Sequence, residues 1–319
     1  MSFLVARKTI GFAIETVPYT KETLDAADYN IAAWDLNYSP EIAMKARKIS
    51  RGDFGKEASV AGKRSITISF AVDCQEAAAA DTEPTYAKCL RACGYKQTGY
   101  TTKGIGWVPD SGYSNVPATI EIVEKDEGTS PVQVVVTARG CMGNVKQVVN
   151  AIGEPLRYEF EFKGVLDSIS DRAYSSIMTP TGFMTVIPVA VMGVSVTAYD
   201  PNTDVMTMGK VTIDLGNDVQ LFSDPASAQG LSGAHIVDRT TKIDCDPDLL
   251  TLASQNFYSR WINHTHGDFH LHYGSMTTIT ASVTVNKAYA PGEREGHVVN
   301  NLTLNVFRDT LEIMQGAKA

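Results

Sequence analysis

Residues 132–164, VQVVVTARGCMGNVKQVVNAIGEPLRYEFEFKG, constrain this chain more than any other stretch. Positions 132–138 are apolar and largely β-branched, and positions 157–163 alternate Arg157, Glu159, Glu161 and Lys163 with Tyr158, Phe160 and Phe162. A period of two sends the aromatic rings to one face and the charges to the other, which is the pattern of a half-buried strand. Between the two runs, Arg139-Gly140-Cys141-Met142-Gly143-Asn144 reads as a tight turn, and Gly153-Glu154-Pro155 as a second breaker just before the aromatic strand. The stretch therefore predicts a meander of paired antiparallel strands.

The rest of the chain extends this β pattern. Residues 1–34 read as an N-terminal arm or edge element outside the core. Positions 63–70 alternate as a strand behind a Lys-, Arg- and Gly-rich loop at 45–62. Residues 76–93 change character, with Pro84 at a helix start and Tyr86, Ala87, Leu90 and Cys93 at helical spacing. Residues 95–117, rich in Gly, Tyr, Thr and Ser, read as a long loop or a hairpin with an exposed tip, and 119–125 as a strand. After an aperiodic stretch at 166–188 the plan repeats. Strands are predicted at 211–216 and 239–245, a helix at 247–261, and alternating strands at 276–287 and 300–308. Asp214-Leu215-Gly216-Asn217 echoes Asp35-Leu36-Asn37. The expected organisation is an arm (1–34), a first β domain (35–165), a linker (166–188) and a second β domain (189–319). The fold class is mainly β: two similar antiparallel β-sandwich or barrel domains, each with one flanking α-helix.

Composition narrows the function classes. A chain of 319 residues can bury a sizeable core, and 44% hydrophobic against 20% charged residues is ordinary for a globular protein. A net charge of -8 argues against a surface that grips nucleic acid, which needs clustered Lys and Arg. Five cysteines at unrelated spacings do not describe a secreted disulfide framework, and point to a reducing compartment. Arg7 and Lys8 interrupt the apolar start, so no signal peptide is expected. The longest apolar run, 186–194, contains Pro188 and is too short for a membrane span, so no membrane insertion is expected.

No catalytic constellation can be assembled. Gly104-Ile105-Gly106 lacks the third glycine of a dinucleotide site, and no nucleophile elbow is present. Cys89 and Cys93, four apart, read as buried thiols. The densest ligand cluster is His264, His266, His270 and His272 around Asp268. Strand geometry puts His264 with His266, and His270 with His272, on shared faces able to pinch a zinc or iron ion. The competing reading is a polar turn and strand, with no metal and no cofactor. On these grounds the chain is expected not to be an enzyme.

The segment ARGCMGNVKQVVNAIGEPLRYEFEFKGV, residues 138–165, resembles the C-terminal hairpin of major tail tube proteins of long-tailed, siphophage-like bacteriophages. In that family a small-residue turn, a Gly-Glu-Pro and an aromatic-acidic strand ending in glycine recur, and a weaker echo lies at 210–247. The resemblance implies a structural virion protein, assembled in the host cytoplasm. Its strands would join a ring-shaped β-barrel, and its rings would stack into a tail tube through which the genome passes without specific binding. It implies tape-measure, tail-terminator and tail-tip proteins as partners. A face carrying Glu159 and Glu161 would line the lumen or meet solvent, and the loop with Thr101, Lys103, Trp107 and Tyr113 would lock successive rings. A tube subunit usually has one such domain. Two fused domains imply a trimeric ring of pseudo-sixfold character, whereas a decorating second domain implies a hexameric one. Two alternatives stand beside it. One is a carbohydrate- or receptor-binding β-sandwich of a virion, presenting Tyr95, Tyr100, Trp107 and Tyr113 as an aromatic platform. The other is a metal-binding enzyme using residues 264–272.

Overall fold

A computed structural model describes residues 3–47, 59–75, 83–100, 104–110, 116–126, 132–149, 154–173, 195–198, 205–273 and 277–315. In chain order the first elements are β1 (Phe3–Ile14), a 3₁₀ turn (Ala26–Tyr29), β2 (Trp34–Lys45), β3 (Val60–Asp73), α1 (Ala87–Ala92), β4 (Tyr95–Tyr100), β5 (Gly104–Pro109), β6 (Ala118–Asp126), β7 (Val132–Val149) and β8 (Arg157–Ala173). There follow β9 (Ser195–Ala198), β10 (Val205–Met206), β11 (Met208–Asp214), β12 (Asn217–Ser223), β13 (Leu231–Arg239), β14 (Lys242–Pro247) and α2 (Phe257–Ile262). The last are β15 (His266–Tyr273), β16 (Thr277–Lys287), β17 (Pro291–Arg294), β18 (His297–Asn300), β19 (Leu302–Val306) and β20 (Glu312–Gln315). The protein is mainly β, with large antiparallel sheets and two short helices.

The organising element is the long β7–β8 pair, in register from Val132 opposite Ala173 to Val148 opposite Arg157. Arg139–Asn144, expected to be a turn, does not reverse the chain. It is a bulged stretch of β7, with register breaks after Thr137 and between Arg139 and Met142. Gly140 takes φ of +59°, a left-handed conformation that costs glycine little, and the extra residues are absorbed as a bend. The bend is tight: a Cβ on Gly164, across the pair, would lie 2.3 Å from the Cys141 Sγ. It lets one edge of β7 take two partners. The first half of β7 pairs with β6, which carries β1 on its far edge, while the second half pairs with β11.

The two layers so formed close on one hydrophobic core. Tyr158, Phe160 and Phe162 point inward from β8 and meet Ile66, Ile68 and Phe70 of β3 and Ile10 and Phe12 of β1, with Phe12 edge-on to Phe162 at 5.2 Å. Fully burying each such ring contributes roughly 1.5–3 kcal/mol. The expectation that residues 1–34 stay out of the core is thereby corrected. β1 is an edge strand, but its Ile10 and Phe12 alternate inward and are buried. Residues 166–173, assigned to the linker, are the second half of β8; residues 174–188 lie outside the described residues. The 247–261 helix is shorter than expected: α2 starts at Phe257, capped by the Asn256 side chain on Ser259 N–H.

The longest run of hydrogen-bonded strands reads β10-β9-β15-β16-β19-β14-β11-β7-β8-β3-β2. Its last eight strands form two runs of four, β16-β19-β14-β11 and β7-β8-β3-β2. Numbered within its own run along the chain, each has its strands in the order third, fourth, second, first. The flanking pairs repeat as well: β6 lies on β7 with β1 beyond it, and β15 lies on β16 with β9 beyond it.

Candidate functional site

Because aromatic and aliphatic residues of the central strands turn inward, their polar alternates form one broad outer face. Glu159 and Glu161 are exposed on it, flanked on β7 by Lys146 and Asn144 and on β3 by Ala71 and Ser69. The face continues across β11 and β14 through Asp214, Thr212 and Asp244, and the Thr303 hydroxyl of β19 donates to Asp244 at 2.6 Å. Lysines interleave with the carboxylates: Lys146 pairs with Asp214 at 3.3 Å, and Lys163 follows Glu161 on the same side of β8. Among the described residues the surface is hydrophilic and mixed in charge.

The seam between the two runs of four is held by a short ladder and by side chains at its end. β11 pairs with β7 from Val211 opposite Val149 to Asp214 opposite Lys146, and Leu215 N–H extends the ladder to Val145 O. The Asn144 amide donates to the Asp214 carboxylate at 2.8 Å while its carbonyl accepts the Asn217 backbone N–H at 3.0 Å. The Asn217 side chain donates to Gly143 O and Cys93 O and accepts from Arg239 Nε. Sequence reasoning marked Gly143 and Asn144 as part of a turn, Cys93 as a buried thiol and Asp214–Asn217 as an echo, but nothing local announced that these residues meet.

Past the seam, β12 and β13 form an arm that folds onto the bend of β7. Val219, Leu221, Ala234 and Ile236 of the arm close over Met142, leaving Met142 and Ala234 buried. Arg139 ties the arm down, donating to Ser232 O, Ser227 Oγ and Gln229 Oε1, and also to Tyr19 O. Beneath it the buried Glu15 carboxylate accepts from Gly140 N–H at 2.7 Å, Thr119 Oγ1 at 3.0 Å and Tyr19 N–H at 2.7 Å. Burial pushes the Glu15 carboxyl above its ordinary value, against the pull of those hydrogen bonds and of Arg139. The roles of Glu15 and Arg139 could not be read from the sequence, because most of their partners, among them Gly140 and Thr119 for Glu15 and Ser232 for Arg139, are more than 80 residues away in the chain.

Among the open strand edges of the described residues, two lie at the ends of the two runs of four. β2 has β3 on one side only, and β16 beyond Thr284 has β19 on one side and no strand on the other. They are the counterparts of β11 and of the second half of β7, the two edges that meet at the internal seam.

The remaining expected site residues are dispersed. Thr101, Lys103 and Tyr113 lie outside the described residues. Trp107 is not on a loop tip: it sits on β5 opposite Ile313 of β20 and is fully buried in the main hydrophobic core, with the Arg91 guanidinium over its ring. Tyr95 is buried as well, so neither residue presents an aromatic platform. Gly104-Ile105-Gly106 opens β5. Of the histidines, His264 precedes β15 at φ of +50°, while His266, His270 and His272 line its outer face, alternating with buried Phe269 and Leu271. His266 packs against Phe307, His270 lies 6.5 Å from His272 between ring centroids, and His272 hydrogen-bonds Thr278. Among the described residues no three ligating side chains converge on a point, whereas zinc sites use three or four. Cys89 and Cys93 are fully buried, and burial raises both thiols. Among the described residues no helix is long and apolar enough to cross a membrane.

Comparison with known protein families finds no matching family model, and comparison with curated protein sequences finds no match either.

Proposed function

We propose that this chain is a structural, non-enzymatic subunit that assembles edge to edge into rings, of the kind that stack into the tail tube of a long-tailed bacteriophage. The observation that carries this reading is the continuous eight-strand layer, in which one four-strand order occurs twice and the edges left over at its ends are those already joined in its middle. An open strand edge is a hazard for a monomer and a joint for an assembly. In this reading the chain holds two similar β-sandwich units, β1 to β8 and β9 to β20, with β5 reaching across to β20. Two units per chain favour a closed ring of three chains with pseudo-sixfold character over a ring of six.

The outer face suits a channel wall. Its alternating Glu159, Glu161, Lys146 and Lys163 give a wetted surface whose charges offset one another locally, so that a polyanion would pass without a place to stop. The virion tail would be its location, with tape-measure, terminator and tip proteins as further partners.

Negative-stain electron microscopy of the purified full chain, with analytical ultracentrifugation, tests this. Rings or tubes with a central channel and three chains per ring are the expected result. A chain that stays monomeric at high concentration, under all conditions and with tail-tip proteins present as initiator, overturns it.

A further inference from the structure

Resting on that reading, we infer that the outer part of the β2–β3 pair is an intersubunit arm, which docks on the second half of a neighbouring copy as β12–β13 docks on the first half of its own chain. The arm of the second half, β12–β13, continues the β11–β14 pair, crosses the seam and buries its apolar face on the bend of β7; Val219 there is 7% exposed. In the first half the same topological place is taken by the far ends of β2 and β3, where Met44 pairs with Ala61 and Lys45 with Val60. Ile42 and Met44, two apart on β2 at a register break of the β2–β3 pair, are 47% and 58% exposed, and neither joins a hydrophobic cluster of the described residues. One arm has its receiving surface within the chain; among the described residues the other has none.

The topology also locates the missing surface. The β12–β13 arm sits where β7 and β8 bend from one layer into the other. In the second half the equivalent bend is the break between β19 and β20, since β19 pairs with the far part of β16 and β20 with its near part. Phe307 lies at that break, its backbone N–H bonded to Ser282 O at 2.8 Å and its ring 40% exposed beside His266 and under Arg308. It lies next to the open edge of β16 beyond Thr284, as Met142 lies next to the edge of β7 that receives β11. A second copy presenting β2 to that edge brings its Ile42 and Met44 over Phe307. The occupant is thus another copy of this chain, and Phe307 plays toward it the part that Met142 plays internally.

Full-length chain carrying Met44→Cys is mixed with chain carrying Phe307→Cys and treated with a short bismaleimide, the five native cysteines being buried. Crosslinked dimers are expected in the mixture well above either variant alone, and well above a mixture in which Leu252→Cys, at another exposed position, replaces Met44→Cys. The double variant Ile42→Asp/Met44→Asp is expected to lower assembly roughly tenfold or more, with the melting temperature of the monomer unchanged because both side chains are exposed in it. Rings that form without enriched crosslinking, or that form equally well in the Asp variant, overturn the arm while leaving the assembly reading intact. A chain that never associates overturns both.

Discussion

Asn144 and Asp214 face each other across the β7–β11 seam, amide to carboxylate at 2.8 Å, although they lie 70 residues apart. Asp214 is held from three sides, by Asn144, by Lys146 and by Gly216 N–H at 2.9 Å, and Asn144 in turn accepts Asn217 N–H. The contact therefore fastens both the strand edge and the root of the β12–β13 arm.

Truncating it should loosen the seam. Asn144→Ala removes a hydrogen bond to a charged group and the acceptor of a backbone N–H, and is expected to lower the unfolding free energy by roughly 1.5–3 kcal/mol. Urea denaturation followed by circular dichroism measures this; a change under about 0.5 kcal/mol, the range of ordinary surface substitutions, would mean that the seam is held by its backbone ladder alone.

Glu15→Ala should cost more than a typical buried polar deletion. It leaves Gly140 N–H, Tyr19 N–H and Thr119 without the carboxylate they share, and a loss of roughly 2–4 kcal/mol is expected from buried donors left unpaired. Because the bulge and the arm both rest on this group, hydrogen exchange at Gly140 and along β12–β13 should accelerate in the variant. Equal protection in both proteins would show the bulge to be self-supporting.

Acid should release a different clamp. Buried Glu121 accepts from Tyr29 at 2.6 Å and from both terminal nitrogens of Arg172 at 3.1 Å, joining the 3₁₀ turn, β6 and β8. Burial alone would raise this carboxyl, but the Arg172 and Tyr29 hydrogen bonds and the nearby positive charges bring it below its ordinary 4.5. With the folded value depressed, the stabilisation is present above 4.5 and is lost as pH falls through the folded value. The stability gap between wild type and Glu121→Gln is therefore expected to be widest near neutrality and to shrink in acid; a gap independent of pH between 7 and 3 would contradict the clamp.

Trp107 is a core residue in spite of its glycine-rich setting. Trp107→Ala is expected to destabilise the fold by roughly 3–5 kcal/mol through lost burial and a residual cavity. Calorimetry on the variant separates this from a surface role, for which the melting temperature would not move.

All five cysteines are free and buried, and burial raises the thiols of Cys89, Cys93, Cys141 and Cys245. Ellman's reagent should find almost no fast-reacting thiol in the native chain and five after denaturation. Stoichiometric fast reaction of one thiol in the native state would place that residue at the surface.

Strand identity was legible in the sequence wherever one side of a strand is buried. The alternation at 157–163 and 63–70 placed Phe160, Phe162, Ile66 and Ile68 in the core correctly, since the strand period and the burial period are the same. Arg139–Asn144 misled because two glycines in six residues look like a reversal. What keeps that stretch in the strand is pairing with β8 and the carboxylate of Glu15, 125 residues from Gly140. For the histidines the sequence left two readings: His270 and His272 do share a face of β15, as expected, and among the described residues that outward face brings no third ligand to them.

What the amino-acid sequence determined by itself is which side chains turn inward along each strand, and hence a mainly β chain with short helices between its strands. Which strand lies beside which was decided only in the tertiary structure. The ladder joining Val211–Asp214 to Lys146–Val149 is made of backbone groups common to every residue, so no side-chain pattern announces it. The same holds for the open edges of β2 and β16, which are edges only because of where the rest of the chain has paired.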